Sequence, residues 1–267
     1  MVNKGFVSLG NHLVLESSNP IKLSVTLVSV MVGFIISCNY LIHSLFWCSV
    51  FTLSLIVVSW VWSAVEESMG GSHSKLTLKG FRVGLVMFIL SEIWFFIGFF
   101  WAYFHICWCP SEDLGGAWPP HEFGATMPDP WSIPALNTVL LLSSGGTVTL
   151  AHYYHYLGEF SKAQEFLLYT IFLGVVFFFC QVFEYQVLRT SMESGYYGSI
   201  FYLLTGFHGF HVVLGTIMLI VCWFRFGNAN MTVARHFGFE FSVWYWHFVD
   251  VVWVFVFFLL YYYGYVL

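Results

Sequence analysis

The chain has 267 residues, of which 59% are hydrophobic and only 9% are charged, and its mean hydropathy is +0.78. Soluble proteins carry about 25% charged residues, so this composition excludes a solvated globular domain and predicts a protein that crosses a membrane several times. With 14 acidic and 9 basic residues the net charge is -5, which excludes nucleic acid as a partner because no basic patch is available to meet phosphates.

Apolar stretches long enough to span a bilayer, about 20 residues each, recur along the whole chain. The first begins near Leu23, too far from the N-terminus for a cleaved signal, and is predicted to be the first span. The seven predicted spans cover residues 23–42, 45–65, 79–108, 134–156, 163–187, 197–225 and 237–264. Six of the seven prolines lie between residues 110 and 134, which predicts a substantial non-helical loop there. The sequence therefore predicts an all-α membrane protein with seven transmembrane helices.

Basic residues are distributed unevenly between the two ends of these spans. Eight of the nine Lys and Arg residues fall on one side, namely Lys4, Lys22, Lys75, Lys79, Arg82, Lys162, Arg225 and Arg235. Arg189 falls on the other side, together with the acidic residues of the proline-rich loop. The positive-inside rule therefore predicts that the N-terminus lies inside and the C-terminus outside.

One carboxylate stands inside an otherwise uncharged apolar segment. Glu92 is the only formally charged residue between residues 83 and 102, and an ionised carboxylate at mid-bilayer costs about 2.5–3.5 kcal/mol. It must therefore be protonated, paired or hydrated. Helical rise from the basic end of each span places His211, His247 and Asp250 in the same layer as Glu92, at about 18–22 Å, with His208 one turn further out. We expect Glu92 to hydrogen-bond to one of these histidines.

Pairs of histidines three residues apart on one helix face allow functions other than structural packing. His152 with His155, and His208 with His211, could ligate haem or a metal, although such pairs more often hydrogen-bond neighbouring helices. His247 and Asp250, three residues apart, more often pair within a helix than form a proton wire. None of the six cysteines forms a CxxC motif, so a zinc site is not predicted. A di-haem carrier using the four histidines and a transporter or proton channel centred on Glu92 are the alternatives from other classes.

Nine short segments, in order along the chain, carry recognisable motifs. They are Lys79–Gly84, Ser91–Phe96, Phe99–Ala102, Leu114–Pro120, Pro134–Thr138, Gly198–Ser199, Thr205–Val212, His236–Glu240 and Trp244–Trp253. Together these segments resemble the cytochrome c oxidase subunit III family. The resemblance runs from about residue 60 to the C-terminus, while the first 60 residues match only in pattern.

This resemblance implies both a fold and a role. Two helices, with residues 1–70, are splayed from the other five, with residues 71–267, around a V-shaped cleft. The implied role is that of a non-catalytic subunit of the complex that oxidises cytochrome c, reduces oxygen and pumps protons. Haem a, haem a3 and copper then belong to partner subunits, and this chain is expected to hold no cofactor, no metal and no catalytic residue of its own. Subunits I and II, supernumerary subunits and membrane phospholipids are the implied partners, and subunit III of a quinol oxidase is the alternative with the same fold.

The resemblance also implies roles for particular residues. Glu92 corresponds to the carboxyl group that reacts with carbodiimides in the family, a reaction that needs a protonated carboxyl in an apolar site. The positions that contact lipid headgroups correspond to Glu67, His73, Gly84 and Phe88, with Arg225 as a further polar contact. The chain departs from the family where Glu66 replaces an arginine, where Gly70–Ser72 replaces an aromatic and threonine pattern, and where Gly227 and Asn228 are uncharged. The identity of the headgroup therefore stays open.

Composition also suggests a location. The richness in Phe and Tyr, with 31 and 15 residues, and the lack of a presequence predict an organelle-encoded chain of the mitochondrial inner membrane. A bacterial plasma membrane is the alternative.

Overall fold

The computed structural model describes residues 17–70, 73–110, 112, 116, 118, 128–188, 190–228, 231–233 and 236–266. Within this described part, seven helices are long and apolar enough to cross a membrane, and no element is a β-strand. The helices are α1 Asn19–Tyr40, α2 Ser44–Met69, α3 Lys75–Trp108, α4 Ile133–Tyr156, α5 Phe160–Val187, α6 Gly195–Gly227 and α7 Phe237–Val256. After α7 the chain continues as a π-helical turn, Phe257–Tyr262, and a last α-helical turn, Tyr263–Val266.

Local sequence explains where several helices begin and end. Pro20 and Pro134 lie in the first turns of α1 and α4, where proline is tolerated because its missing N–H would have no intrahelical partner. Helix α1 ends where Leu41 adopts a left-handed conformation with φ of 56° and donates its N–H to the Ser37 carbonyl at 3.1 Å.

The predicted all-α fold and the seven spans are confirmed, with every boundary within four residues of its prediction. Several predicted features lie outside the described residues: Lys4, Arg189 and Arg235 from the charge pattern, and most of the proline-rich loop. The orientation of the termini and the cleft between the two groups of helices stay predictions.

The chain forms two compact units, one covering Met1–Arg82 and the other Val83–Leu267. In the first unit, α1 packs on α2 where a glycine permits close approach. A Cβ on Gly33 would lie 2.9 Å from the backbone nitrogen and Cα of Phe46, so only glycine fits at this contact. Gly33 and Ser49 are the residues of α1 and α2 that become buried, which leaves most of both helices facing outward.

The second unit is organised around one tryptophan of α7. Trp246 is fully buried and lies between a glycine of α5 and a glycine of α6. A Cβ would come within 2.6 Å of its ring at Gly174 and within 2.9 Å at Gly215. The indole N–H donates to the Ser144 hydroxyl of α4 at 2.9 Å. Small residues on three helices thus accommodate one large ring, which is how membrane helices achieve close packing.

Candidate functional site around Glu92

The second unit brings Glu92 on α3 against a histidine of α6. Glu92 Oε2 lies 3.0 Å from His211 Nε2, and the two side chains are 25% and 8% exposed. Of the candidate partners, His211 is therefore the one at hydrogen-bond distance. The contact joins residues 119 positions apart in the chain, so it links α3 to α6 within the second unit.

The other nitrogen of His211 determines how this pair shares its protons. His211 Nδ1 lies 2.6 Å from the Phe207 carbonyl oxygen, and because a carbonyl can only accept, Nδ1 carries a hydrogen. Two arrangements then remain for the contact with Glu92. Either a protonated Glu92 donates to a neutral imidazole, or an imidazolium donates to the carboxylate. Both arrangements hold one shared proton and have no net charge, which satisfies the carboxyl group inside an apolar site.

Aromatic rings surround the imidazole of this pair. The ring of Tyr245 stacks on His211 at 6.2 Å with an angle of 18° between planes, and the rings of Phe96 and Phe248 lie 5.1 and 6.1 Å from the same imidazole. Apolar rings exclude water and lower the local dielectric, which strengthens the shared hydrogen bond.

The remaining candidate partners of Glu92 make other contacts. His208 is buried and its Nε2 donates to the Val249 carbonyl oxygen at 3.2 Å. His247 Nδ1 lies 3.8 Å from Asp250 Oδ2, and its Nε2 lies 3.3 Å from Thr149 Oγ1 on α4. The side chains of His247 and Asp250 thus lie beside each other on one helix, at a distance longer than a hydrogen bond, and His247 also contacts α4.

The residues implied in lipid contact are divided between the two units. Glu67 and His73 belong to the first, where both side chains are half-buried and the His73 ring lies 5.2 Å from that of Phe81. Gly84, Phe88 and Arg225 belong to the second. A Cβ on Gly84 would meet open space, Phe88 is exposed, and the half-buried Arg225 lies where the absence of a side chain at Gly238 leaves room for its guanidinium.

Of the four histidines considered as possible haem ligands, two make hydrogen bonds, and the other two, His152 and His155, make ring contacts. His208 and His211 bond as described above, and the fully buried His155 packs against His236, with ring centroids 4.7 Å apart. In the described part of the chain, no group of three or more His, Cys, Asp or Glu side chains is arranged to hold a metal ion.

A buried carboxyl group that the sequence analysis overlooked lies near the end of α5. Glu184 is buried and its Oε2 accepts hydrogen bonds from Gln181 Nε2 at 3.0 Å and from the Tyr261 hydroxyl at 3.2 Å. Asn137 of α4 extends this cluster by donating to Gln181 at 3.3 Å. The signal available in the sequence was the spacing of Gln181 and Glu184, one helical turn apart on an apolar helix.

The chain is similar to known proteins over almost its whole length. The family model described as cytochrome c oxidase subunit III matches residues 10–265. Cytochrome c oxidase subunit 3 of Chondrus crispus is 41% identical over 256 residues, which cover 95% of this chain and 93% of that protein. The protein of the same name from Rhipicephalus sanguineus is 41% identical over 252 residues, covering 94% and 97%. That from Gadus morhua is 40% identical over 256 residues, covering 95% and 97%.

Proposed function

We propose a function that proceeds from one fact: this chain belongs to the cytochrome c oxidase subunit III family. It is a non-catalytic membrane subunit of the terminal respiratory oxidase, the complex that transfers electrons from cytochrome c to oxygen and pumps protons. The observation that carries this proposal is the extent of the match, since relatives aligned along 93% to 97% of their own length are all subunits of that complex by name.

A supporting role fits the chemistry of the described residues. Haem and copper need several nitrogen or sulfur ligands that converge on one point, whereas His211 hydrogen-bonds to Phe207 and contacts Glu92, and His208 hydrogen-bonds to Val249. We therefore assign haem a, haem a3 and copper to the partner subunits I and II. This chain supplies a packed helical surface against subunit I.

Within this role, the Glu92–His211 pair fixes α3 to α6. The carboxyl group shares a proton with the imidazole at 3.0 Å in an aromatic surround, so neither group needs water or a counter-ion. The pair thereby keeps the helices of the second unit in register, and a fixed surface of this kind supports sustained proton uptake and turnover by subunit I.

Phospholipids are the second kind of partner that we propose. Gly84 lies beside open space and Phe88 is exposed, which suits an acyl chain, while Arg225 provides a cation for a phosphate. Glu67 and His73 of the first unit are proposed, separately, to contact a phospholipid headgroup. We place the complex in the mitochondrial inner membrane, which the Phe- and Tyr-rich composition and the eukaryotic origin of the relatives support.

Purification of the tagged chain from its native membranes tests the proposal. We expect a mild-detergent eluate to contain larger subunits and to give the reduced-minus-oxidised bands of haem a, and stripping this chain from the eluate should leave those bands with the other subunits. A mock purification from membranes without the tag is the control. A chain recovered alone, without haem, would contradict the assignment to an oxidase.

A further inference from the structure

A polar cluster lies where α4, α5 and the π-helical turn after α7 meet. It consists of Asn137 of α4, Gln181 and Glu184 of α5, and Tyr261 of the turn Phe257–Tyr262. All four side chains are buried, and all belong to the second unit. π-Helical turns are rare and are found frequently at functional sites, yet the proposed function uses none of these side chains.

The hydrogen bonds of this cluster all lead to one oxygen of Glu184. The Asn137 amide donates to Gln181 Oε1 at 3.3 Å. Gln181 Nε2 donates to Glu184 Oε2 at 3.0 Å, and the Tyr261 hydroxyl donates to the same oxygen at 3.2 Å. Gln181 Nε2 also lies 3.5 Å from the Tyr261 oxygen. Glu184 Oε2 therefore accepts two hydrogen bonds, and the amide and hydroxyl donors that reach the carboxyl group are used there.

Two other oxygens of the cluster lack a donor. Glu184 Oε1 and Asn137 Oδ1 are both buried and have no hydrogen-bond partner among the described residues. A buried acceptor without a donor is unfavourable, and a charged one is far more so. The cluster therefore lacks hydrogens and not acceptors. One proton placed on Glu184 Oε1 supplies a donor and removes the negative charge.

Within the described part of the chain, no positive charge compensates an ionised Glu184. The ionisable side chains that interact with this carboxyl group are those of three tyrosines, Tyr185, Tyr197 and Tyr261. A tyrosine cannot become a cation, and the Tyr185 hydroxyl is engaged with Thr205 Oγ1 at 2.5 Å. A buried carboxyl group without a cation takes up a proton, because the neutral form needs far less solvation than the ion.

Glu184 differs in this respect from Glu92. Glu92 Oε2 lies 3.0 Å from the imidazole of His211, a base that can take the shared proton and leave a carboxylate. The hydrogen-bond partners of Glu184 are an amide and a phenol, and neither is a base that accepts a proton near neutral pH. A proton held by the cluster must therefore lie on the carboxyl group itself.

We propose that Glu184 is a neutral carboxylic acid in the folded chain, with its hydrogen on Oε1, and that the cluster stores this proton. Oε2 is then the carbonyl oxygen, which accepts both donated hydrogen bonds. The Oε1 hydroxyl becomes the donor that the cluster lacks, and Asn137 Oδ1 is the acceptor still open to it. The inference goes beyond the proposed function and holds whether or not haem a co-purifies with the chain.

Infrared spectroscopy of the chain, purified with its native partners at neutral pH, tests the inference. Glutamate carries a heavy carbon isotope in its carboxyl group, which separates its bands from those of aspartate and the backbone. We expect Glu184→Gln to remove one labelled band of a protonated carboxylic acid, a band that shifts in heavy water. Glu165→Gln, at an exposed position of the same helix, is the control and should remove only a carboxylate band.

Two results would overturn the inference. Loss of a carboxylate band in Glu184→Gln would show an ionised group, paired for example with Arg189, which lies outside the described residues. A carboxylate band that moved when sodium was replaced by potassium would show a metal cation in place of the proton. Glu184→Asp keeps a carboxyl group without the label and should also lose the labelled acid band, so the test does not depend on the glutamine variant alone.

Proton release on unfolding in urea and a neutral detergent gives a second readout. A glutamate exposed by unfolding is ionised above pH about 4.3, so a chain that holds an extra proton when folded releases it. The unfolding equilibrium constant of the wild type, relative to Glu184→Gln, should therefore rise about tenfold per pH unit from about pH 5.5 to 6.5. Stability thus falls as the pH rises, and the Glu165→Gln control should keep the wild-type slope. Identical slopes for the wild type and Glu184→Gln would contradict the inference.

Discussion

Helices α1 and α7 are almost equally apolar, yet they are packed very differently. The most apolar windows of the two spans have mean hydropathies of 2.1 and 1.8, but 6% of the first and 61% of the second is buried within the chain. Lipid is as apolar as a leucine side chain, so hydropathy identifies a span without indicating what it touches. The packing of α7 depends instead on glycines at ring contacts and on hydrogen bonds between helices, while α1 has one such close contact.

The largest effect should come from the centre of the second unit. Trp246→Ala removes the ring between Gly174 and Gly215 and the hydrogen bond to Ser144, and should lower the free energy of unfolding by about 3–5 kcal/mol. Titration with a denaturing detergent measures this. Trp101→Ala, at a position 74% exposed, is the control and should have little effect. Equal losses of unfolding free energy for the two variants would contradict the difference between buried and outward-facing tryptophans.

A smaller effect is expected in the first unit. Gly33→Ala places a Cβ 2.9 Å from the backbone of Phe46. Because the backbone cannot rotate away from this contact, the packing of α1 on α2 should lose about 1–3 kcal/mol of stability. Protease cleavage within α1–α2 reports this local loss. Gly98→Ala adds a Cβ where nothing lies within 4 Å and should leave cleavage unchanged. Identical cleavage of both variants would show that α1 and α2 do not depend on this contact.

The Glu92–His211 pair should contribute less than either packing contact. A double-mutant cycle with Glu92→Gln and His211→Leu should give a coupling energy of about 1–2 kcal/mol, near the upper end for polar contacts between membrane helices. Detergent unfolding of the four proteins provides the measurement. The pair of Glu92→Gln with His247→Leu serves as control and should be additive, whereas strong coupling there would place Glu92 against the wrong histidine.

The smallest measurable effect concerns a second tryptophan of α7. Trp253 Nε1 donates to Thr138 Oγ1 at 3.1 Å, a neutral hydrogen bond whose coupling in a cycle of Trp253→Phe with Thr138→Val should be about 0.6 kcal/mol. Detergent unfolding of the same kind measures it. A coupling as large as that of the Glu92–His211 pair would mean that the shared proton of that pair adds nothing over a neutral hydrogen bond.

The sequence predicts the spans well, because span length is set by bilayer thickness and apolar composition. Depth along a helix is also predictable from the rise per residue, and it places Glu92 and His211 in one layer. The sequence does not predict which of His211 and His208 contacts Glu92. The two histidines lie one turn apart, and the rotation and crossing angle of the helices decide which one meets α3. The central role of Trp246 is equally hidden, because buried and lipid-facing tryptophans look alike in an apolar span.

The environment of Glu184 is also not predictable from the sequence. Because Glu184 lies near the end of α5, the sequence alone would place its carboxyl group at the membrane surface. The structure instead buries it with Gln181 and Tyr261, and Tyr261 comes from a segment 77 residues away along the chain. A contact of that kind follows from the packing of helices and not from local spacing.

The most direct test of the central claim removes this chain from the purified complex and follows oxygen consumption over time. If the chain supports the oxidase without holding its redox centres, the depleted complex keeps its haem a absorbance and its initial rate per haem. It then loses activity over successive turnovers faster than the intact complex, and restoring the chain reverses this. Loss of haem a in proportion to the chain removed, or haem recovered with the isolated chain, would contradict the account.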